Sequence, residues 1–226
     1  MRGEMQNQII FCGDPHGCFA NIISAVHKYR PEAVILLGDY NLEMPLETYL
    51  QTIIGMTKIY WIPGNHDFDS VSEYEYLFYS ALSYNNINLK VIEINGLRIA
   101  GLGGIFKESI WMSGSLPKWI DKKHWLQYKP RDVKKIPLHL DNAIWHHEFE
   151  KMKKNIRADI LVTHEAPSCH RHGKKAIEEL AQAIGAKKIF HGHHHYYYQD
   201  TINGIAVTCA PIGGVVNLNG EQLMKR

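Results

Sequence analysis

The sequence predicts an α/β (α+β) fold built as a four-layer αββα sandwich with two mixed β-sheets, and three observations point there. Short continuous apolar runs such as Val34-Ile35-Leu36-Leu37 are strand-sized and suit strands buried on both faces. Segments with helical spacing alternate with them in the first third of the chain. Two Asn-Gly pairs, Asn95-Gly96 and Asn203-Gly204, sit between apolar runs and mark hairpins, because both turn positions tolerate positive φ.

Taken in order, residues 8–12 form a first expected strand that runs into Gly13-Asp14. Residues 20–29 read as a helix, with Ile22, Ile23, Val26 and Tyr29 on one face and Pro31 as its stop. Residues 33–37 form a second strand ending in Gly38-Asp39, and a helix over 45–54 leads to a third strand over 58–62. That strand ends in Pro63-Gly64-Asn65-His66-Asp67. Each of these strands carries polar residues at its C-terminal end, the edge where open α/β sheets place ligands. A Tyr-rich helix over 70–84 precedes the first hairpin, 91–94 with 97–100. Residues 117–137 show no clear periodicity and read as a cap or excursion. A helix over 139–153, a strand over 159–163 ending at His164, a helix over 174–184 with Gly185 as its C-cap, and a strand over 188–191 follow. The second hairpin pairs 196–199 with 205–210.

The chain has 226 residues, room for one sizeable α/β domain spanning 1–226. A hydrophobic content of 45% and a charged content of 21% exclude disordered and fibrous classes. The formal net charge of +2 implies neither a strong nucleic-acid field nor an acidic tail. No apolar stretch of leader length follows the N-terminal charges, and no run is long enough to span a membrane, so no membrane partner is expected. Cys12, Cys18, Cys169 and Cys209 have no CxxC spacing and read as reduced, mostly buried thiols of a cytoplasmic protein. Histidine is the compositional outlier, with 14 copies. His164, His170, His172, His191, His193, His194 and His195 crowd the last third.

Five short motifs follow expected strands and can converge in a fold of this class: Gly13-Asp14-Pro15-His16-Gly17, Gly38-Asp39, Gly64-Asn65-His66-Asp67, Thr163-His164-Glu165 and Gly192-His193-His194-His195. Their carboxylates, imidazoles and one carboxamide are hard-to-borderline donors, suited to manganese, iron or zinc more than to copper(I) or calcium. Alone, Asp14 and Asp39 read as turn or cap residues and His164 as a structural histidine. Their joint order reverses that reading.

The order DxH, GD, GNHD, H and GHxH, from Asp14 to His195, resembles the calcineurin-like metallophosphoesterase superfamily. The resemblance implies one divalent ion held by Asp14, His16, Asp39 and His195, and a second held by Asp39, Asn65, His164 and His193. Asp39 then bridges the two ions. Manganese is the first expectation, with iron, zinc or nickel as alternatives. Two such ions about 3.5–4 Å apart clamp the attacking and leaving oxygens of an in-line displacement. A water shared between them loses a proton near neutral pH and becomes the nucleophile. Two dications against Asp14, Asp39 and a hydroxide leave a surplus positive charge that attracts phosphate. His66 resembles the histidine that steadies the phosphate or protonates the leaving oxygen. Asp67 reads as its orienting partner or as a helix cap. His191 and His194 read as strand packing or support, and His170 and His172 as exposed-loop residues, with pocket lining as the other reading.

The second motif departs from that of the serine/threonine phosphoprotein phosphatases: Leu42 and Glu43 stand where those enzymes have Asp and Arg. The missing guanidinium would have gripped a phosphomonoester bidentately. The expectation is therefore a phosphodiester or activated phosphate ester, as a small molecule or nucleotide. The alternatives are a nuclease using the basic and aromatic stretch that holds Lys118, Trp119, Trp125, Tyr128 and Lys135, a phosphoprotein phosphatase, or a non-catalytic scaffold on the same fold. For that stretch, a solvated surface with aromatic undersides is the favoured reading.

Overall fold

The computed structural model describes residues 8–225; the N-terminal stretch read for a leader lies almost wholly outside them, as does residue 226. Two mixed sheets carry the fold. The first has five strands in the order β11-β10-β1-β2-β3, with β1 Ile9–Cys12, β2 Ala33–Leu36, β3 Lys58–Trp61, β10 Val215–Asn217 and β11 Gln222–Met224. Strands β1, β2 and β3 run parallel, in the register Phe11↔Ile35↔Tyr60, and β10 returns antiparallel on β1. The second has six strands in the order β4-β5-β6-β7-β9-β8. These are β4 Val91–Ile94, β5 Leu97–Leu102, β6 Ile160–Thr163, β7 Lys188–His191, β8 Tyr198–Ile202 and β9 Ile205–Cys209. Its centre, β5-β6-β7-β9, is parallel, and each edge is an antiparallel hairpin closed at Asn95-Gly96 or Asn203-Gly204.

Period-2 alternation sends the apolar strand residues to both sides of each sheet. Ile9, Phe11, Ile35, Leu37, Val162 and Phe190 meet between the sheets, where Phe11 and Phe190 stack at 3.7 Å between ring centroids. Ile10, Val34 and Leu36 face outward, under helices α1 Ala20–Tyr29, α2 Leu46–Leu50 and α3 Val71–Phe78. Leu161 and Ile189 face outward on the other side, under α6 His146–Asn155 and α7 Lys175–Ile184. Helix α7 shows why: Ala176, Ile177, Leu180, Ala181 and Ile184 form one buried stripe, and Gly185 closes it at φ 87°.

The four layers agree with the sequence expectation, with local differences. Residues 117–137 contain a helix, α4 Lys122–Gln127, whose start is capped by Asp121 accepting from the His124 N–H. It is too short to show a period. The helix expected over 139–153 is two, α5 Leu138–Asp141 and α6, because residues 142–145 turn inward to bury Ile144 and Trp145. β10 and β11 were not expected; at three residues each they leave no legible alternation. Cys12 and Cys209 are buried, Cys18 and Cys169 half-buried, and all four are free thiols. No described helix is long and apolar enough to cross a membrane.

Candidate metal centre

The C-terminal ends of β1, β2, β3, β6 and β7 point to one edge, and the loops that follow them bring two groups of donors together. One ligand atom each from Asp14, His16, Asp39 and His195 lie within 4.8 Å of one another, and so do atoms from Asp39, His164 and His193. Asn65 joins the second group, its Oδ1 lying 3.0 Å from His164 Nε2. Asp39 belongs to both.

Reaching this arrangement strains the backbone. Of nine non-glycine residues with positive φ among the described residues, five are here: His16, Asp39, Asn41, His193 and His195. Residues in that region each cost about 1–3 kcal/mol, less for Asn, Asp and His, and persist where their surroundings enforce them. Two glycines permit the close approach. A Cβ on Gly64 would collide with Asp39 Oδ1, and one on Gly192 with Asp14 Oδ1.

The carboxylates are buried and differently held. Asp14 Oδ2 accepts the His193 N–H at 2.7 Å, whereas Oδ1 is buried with no hydrogen-bond partner. Burial pushes the Asp14 carboxyl up to about 7. Burial also acts on Asp39, but the charge and hydrogen bond of His164 and the His66 N–H outweigh it and hold that carboxyl below its ordinary range. The imidazoles turn a ring nitrogen toward the other donors. His164 donates Nδ1–H to the Leu37 carbonyl at 2.8 Å, which turns Nε2 toward Asp39 Oδ2 at 3.3 Å and His193 Nδ1 at 3.1 Å. His16 directs Nδ1 at the Asn41 carboxamide oxygen, 2.8 Å away, and Nε2 at His195 Nε2, 3.1 Å away. Burial lowers His193 to about 4, so it is neutral at ordinary pH. Burial also pulls His164 down, yet Asp39 and Asp14 outweigh it and lift it to about 10.

Carboxylate and carboxamide oxygens and ring nitrogens thus crowd together across 3.0–3.3 Å, and Asp14 Oδ1 is buried without a hydrogen-bond partner. Such a set is stabilised by positive charge at its centre, and hard-to-borderline divalent cations match its donors. The outward ring nitrogens of His16 and His164 are tied to oxygens, the arrangement that orients imidazoles toward a metal.

His66 stands beside the donors, its ring centroid 5.9 Å from that of His16. Its Nδ1 pairs with Asp69 Oδ2 at 2.6 Å, not with Asp67. Burial draws His66 down, but Asp69 and Asp39 outweigh it and raise it above the ordinary histidine value. Asp67, expected as an orienter of His66 or a helix cap, does neither. It is buried and accepts three backbone N–H groups, from Tyr40 on Oδ1 (2.8 Å) and from Asp39 and Gly64 on Oδ2 (3.0 and 2.7 Å). It therefore fastens two ligand loops to each other. His191 is buried in β7 with Nε2 on the Tyr198 hydroxyl, 2.7 Å away. His172 is exposed as expected, but His170 is buried, its ring stacked on His194.

Sequence reasoning missed Asp69, Asn41 and Asn142. Asn41 carries a signal, a second polar residue after Gly38-Asp39. Asn142 carries none: it arrives from the long β5–β6 connection and donates Nδ2–H to the Asn65 carbonyl at 2.8 Å. In that same connection Lys129 sits over the rings of Trp119 and Trp125, at 5.4 and 4.5 Å, so its basic and aromatic texture is partly satisfied within the chain.

Comparison with known proteins is consistent with this geometry. The family model for calcineurin-like phosphoesterases matches residues 8–197. An uncharacterized protein of Haemophilus influenzae is 36% identical over 190 residues, 83% of each chain. Among solved structures, a Thermus thermophilus protein superposes with a TM-score of 0.57 at 12% identity, over 95% of this chain and 96% of that one. The phosphopantetheinyl hydrolase of Mycobacterium tuberculosis gives 0.56 at 11% identity, over 91% and 90%. The chain belongs to the calcineurin-like phosphoesterase family, and with it to the hydrolases of phosphate esters.

Proposed function

We propose that this chain hydrolyses small phosphodiesters or activated phosphate esters, nucleotides included, using two divalent cations. Asp14, His16, Asp39 and His195 would hold one ion, and Asp39, Asn65, His164 and His193 the other, with manganese as the first expectation. The observation that carries this reading is the convergence of donors around the buried Asp39, with Asp14 Oδ1 buried and without a hydrogen-bond partner. Bound there, the ions would supply charge for the phosphoryl oxygens and an acidified water as nucleophile.

The chain's own residues do the rest. Asp14 and Asp39 fix the donor geometry from buried loops. His66 holds a proton at Nε2, because Asp69 takes Nδ1–H, and delivers it to the leaving oxygen. Lys107, whose ammonium acts on Asp69 and donates to the His139 carbonyl at 2.7 Å, adds positive charge on that side. Where a phosphoprotein phosphatase would carry a guanidinium, Leu42 is buried and Glu43 exposed, which favours a diester over a dianionic monoester. The occupied faces of Trp119 and Trp125 favour a small substrate over a nucleic-acid strand. We take residues 1–226 as one domain, with 117–137 as its cap, and four free cysteines fit a reducing, cytoplasmic setting.

The test is turnover of bis-p-nitrophenyl phosphate against p-nitrophenyl phosphate with manganese added. The diester should be preferred, and chelation should abolish both rates. No turnover with manganese, zinc, iron or nickel would leave the scaffold reading. Steeply salt-dependent binding of single-stranded DNA would favour the nuclease.

A further inference from the structure

Between the two histidine donors of the β7 loop lies a histidine that donates to neither ion. His193 and His195 have φ values of 69° and 64°, so the loop turns left-handed on both sides of His194. Few backbone bonds hold that shape: His193 N–H to Asp14 Oδ2, His194 N–H to the Gly192 carbonyl, and Ile212 N–H to the His195 carbonyl. The Gly192 carbonyl also meets His191 Nδ1 and the Cys209 thiol, and the His194 ring supplies a further anchorage. It stacks on His170 with ring centroids 3.6 Å apart and planes 28° from parallel, and its edge meets His193 at 4.9 Å.

His170 belongs to a different ligand loop, the one after β6 that begins with His164. That loop is a rigid platform. Ser168 is bound through N–H (2.9 Å) and Oγ to the buried Glu178 of α7. His170 N–H donates to the Pro167 carbonyl, Gly173 N–H to the His170 carbonyl, and Lys174 N–H to the Ala166 carbonyl. The ring's Nδ1 accepts the His172 N–H at 3.2 Å. The Nε2 atoms of His170 and His194 are both buried with no hydrogen-bond partner, so the two rings meet face to face with no hydrogen bond between them.

We propose that His170 is a positioning residue for the metal centre: by stacking on His194 it holds the left-handed turn that aims His193 and His195 at their ions. The two nitrogen-bearing loops are then fastened twice, once at the donors His164 and His193 and once at a contact that touches neither ion nor substrate. This inference rests on the two-ion reading above.

The test is manganese affinity, read from the free-ion signal by electron paramagnetic resonance. His170→Asn keeps an acceptor near Nδ1 but loses the stacked ring; His170→Phe keeps a ring and loses the acceptor. If the stack positions the donors, His170→Ala and His170→Asn bind manganese on the order of tenfold more weakly, the range for residues supporting metal ligands. His170→Phe stays within about twofold of wild type on the same scale. His194→Ala should weaken binding as His170→Ala does, with no further loss in the double variant. Wild-type affinity in His170→Asn, or a His170→Phe as weak as His170→Ala, overturns the proposal while leaving the two-ion reading intact. A wild-type protein that takes up no manganese, zinc or iron overturns both.

Discussion

The two sheets bring unlike chemistry to their common edge. Loops after β1, β2 and β3 of the five-stranded sheet supply every oxygen donor, Asp14, Asp39 and Asn65, with one imidazole, His16. Loops after β6 and β7 of the six-stranded sheet supply imidazoles alone, His164, His193 and His195. The oxygen loops are locked by backbone N–H groups aimed at carboxylates, those of His66, Tyr40, Gly64 and Asp39 itself. The imidazole loops have such bonds too, from His193 to Asp14 and from Ser168 to Glu178, and add ring contacts and carbonyls. The difference of degree follows from chemistry: a buried carboxylate needs N–H donors, whereas an imidazole can also be held by an oxygen on its far nitrogen and a ring against its face.

The sharpest way to break this contrast is at the residue common to both groups. Asp39→Ala should remove both ions and reduce turnover to background, whereas His195→Ala should strip one donor from one ion and leave the other bound, by elemental analysis. An Asp39→Ala protein that kept two metals would refute the bridging assignment. Next comes the brace on the oxygen side. Asp67→Ala leaves three buried N–H groups without an acceptor, a loss on the order of 3 kcal/mol or more. For a chain of this size that lowers the melting temperature by roughly 6–12 °C. An unchanged melt with lost activity would instead make Asp67 a catalytic group.

His66→Ala tests a residue beside the donors and should keep both metals while slowing turnover on the order of 10²-fold. The smallest effect is expected from Asp69→Asn. Asp69 helps raise the His66 pKa above its ordinary value, so the proton donor stays charged to higher pH and is lost only as pH rises through that raised value. Without the carboxylate, the alkaline limb of the rate profile should move down toward about 6.5, the ordinary histidine value. The cost at neutral pH should be only a few-fold. An alkaline limb that does not move would separate Asp69 from the proton transfer.

How much of this was legible in the sequence divides along the same line. The strand ends were readable because Gly-Asp, Gly-Asn-His-Asp and Gly-His-His-His each interrupt an apolar run, and their order carried the family resemblance. Helices α1 and α7 were readable to within a residue, since ten residues suffice to show a 3.6-residue period. Residues whose role depends on what the fold brings near them were not readable. Asp67 follows His66 in sequence, yet the single turn of 3-10 helix at His66–Phe68 swings its carboxylate back onto Tyr40 and brings Asp69, three residues on, under the imidazole. His170 read as an exposed loop residue because nothing local announces a stacking partner 24 positions away.

The hydrogen bond from Asn142 to the Asn65 carbonyl has a consequence for how such a chain can diversify. It anchors the base of the long β5–β6 connection to the donor set, while Leu116 and Tyr128 on the outer turns of that connection stand exposed. Related chains could therefore exchange those outer turns, in length and in charge, and acquire new substrate preferences over an unaltered set of candidate donors. The root would stay fixed while the canopy varied.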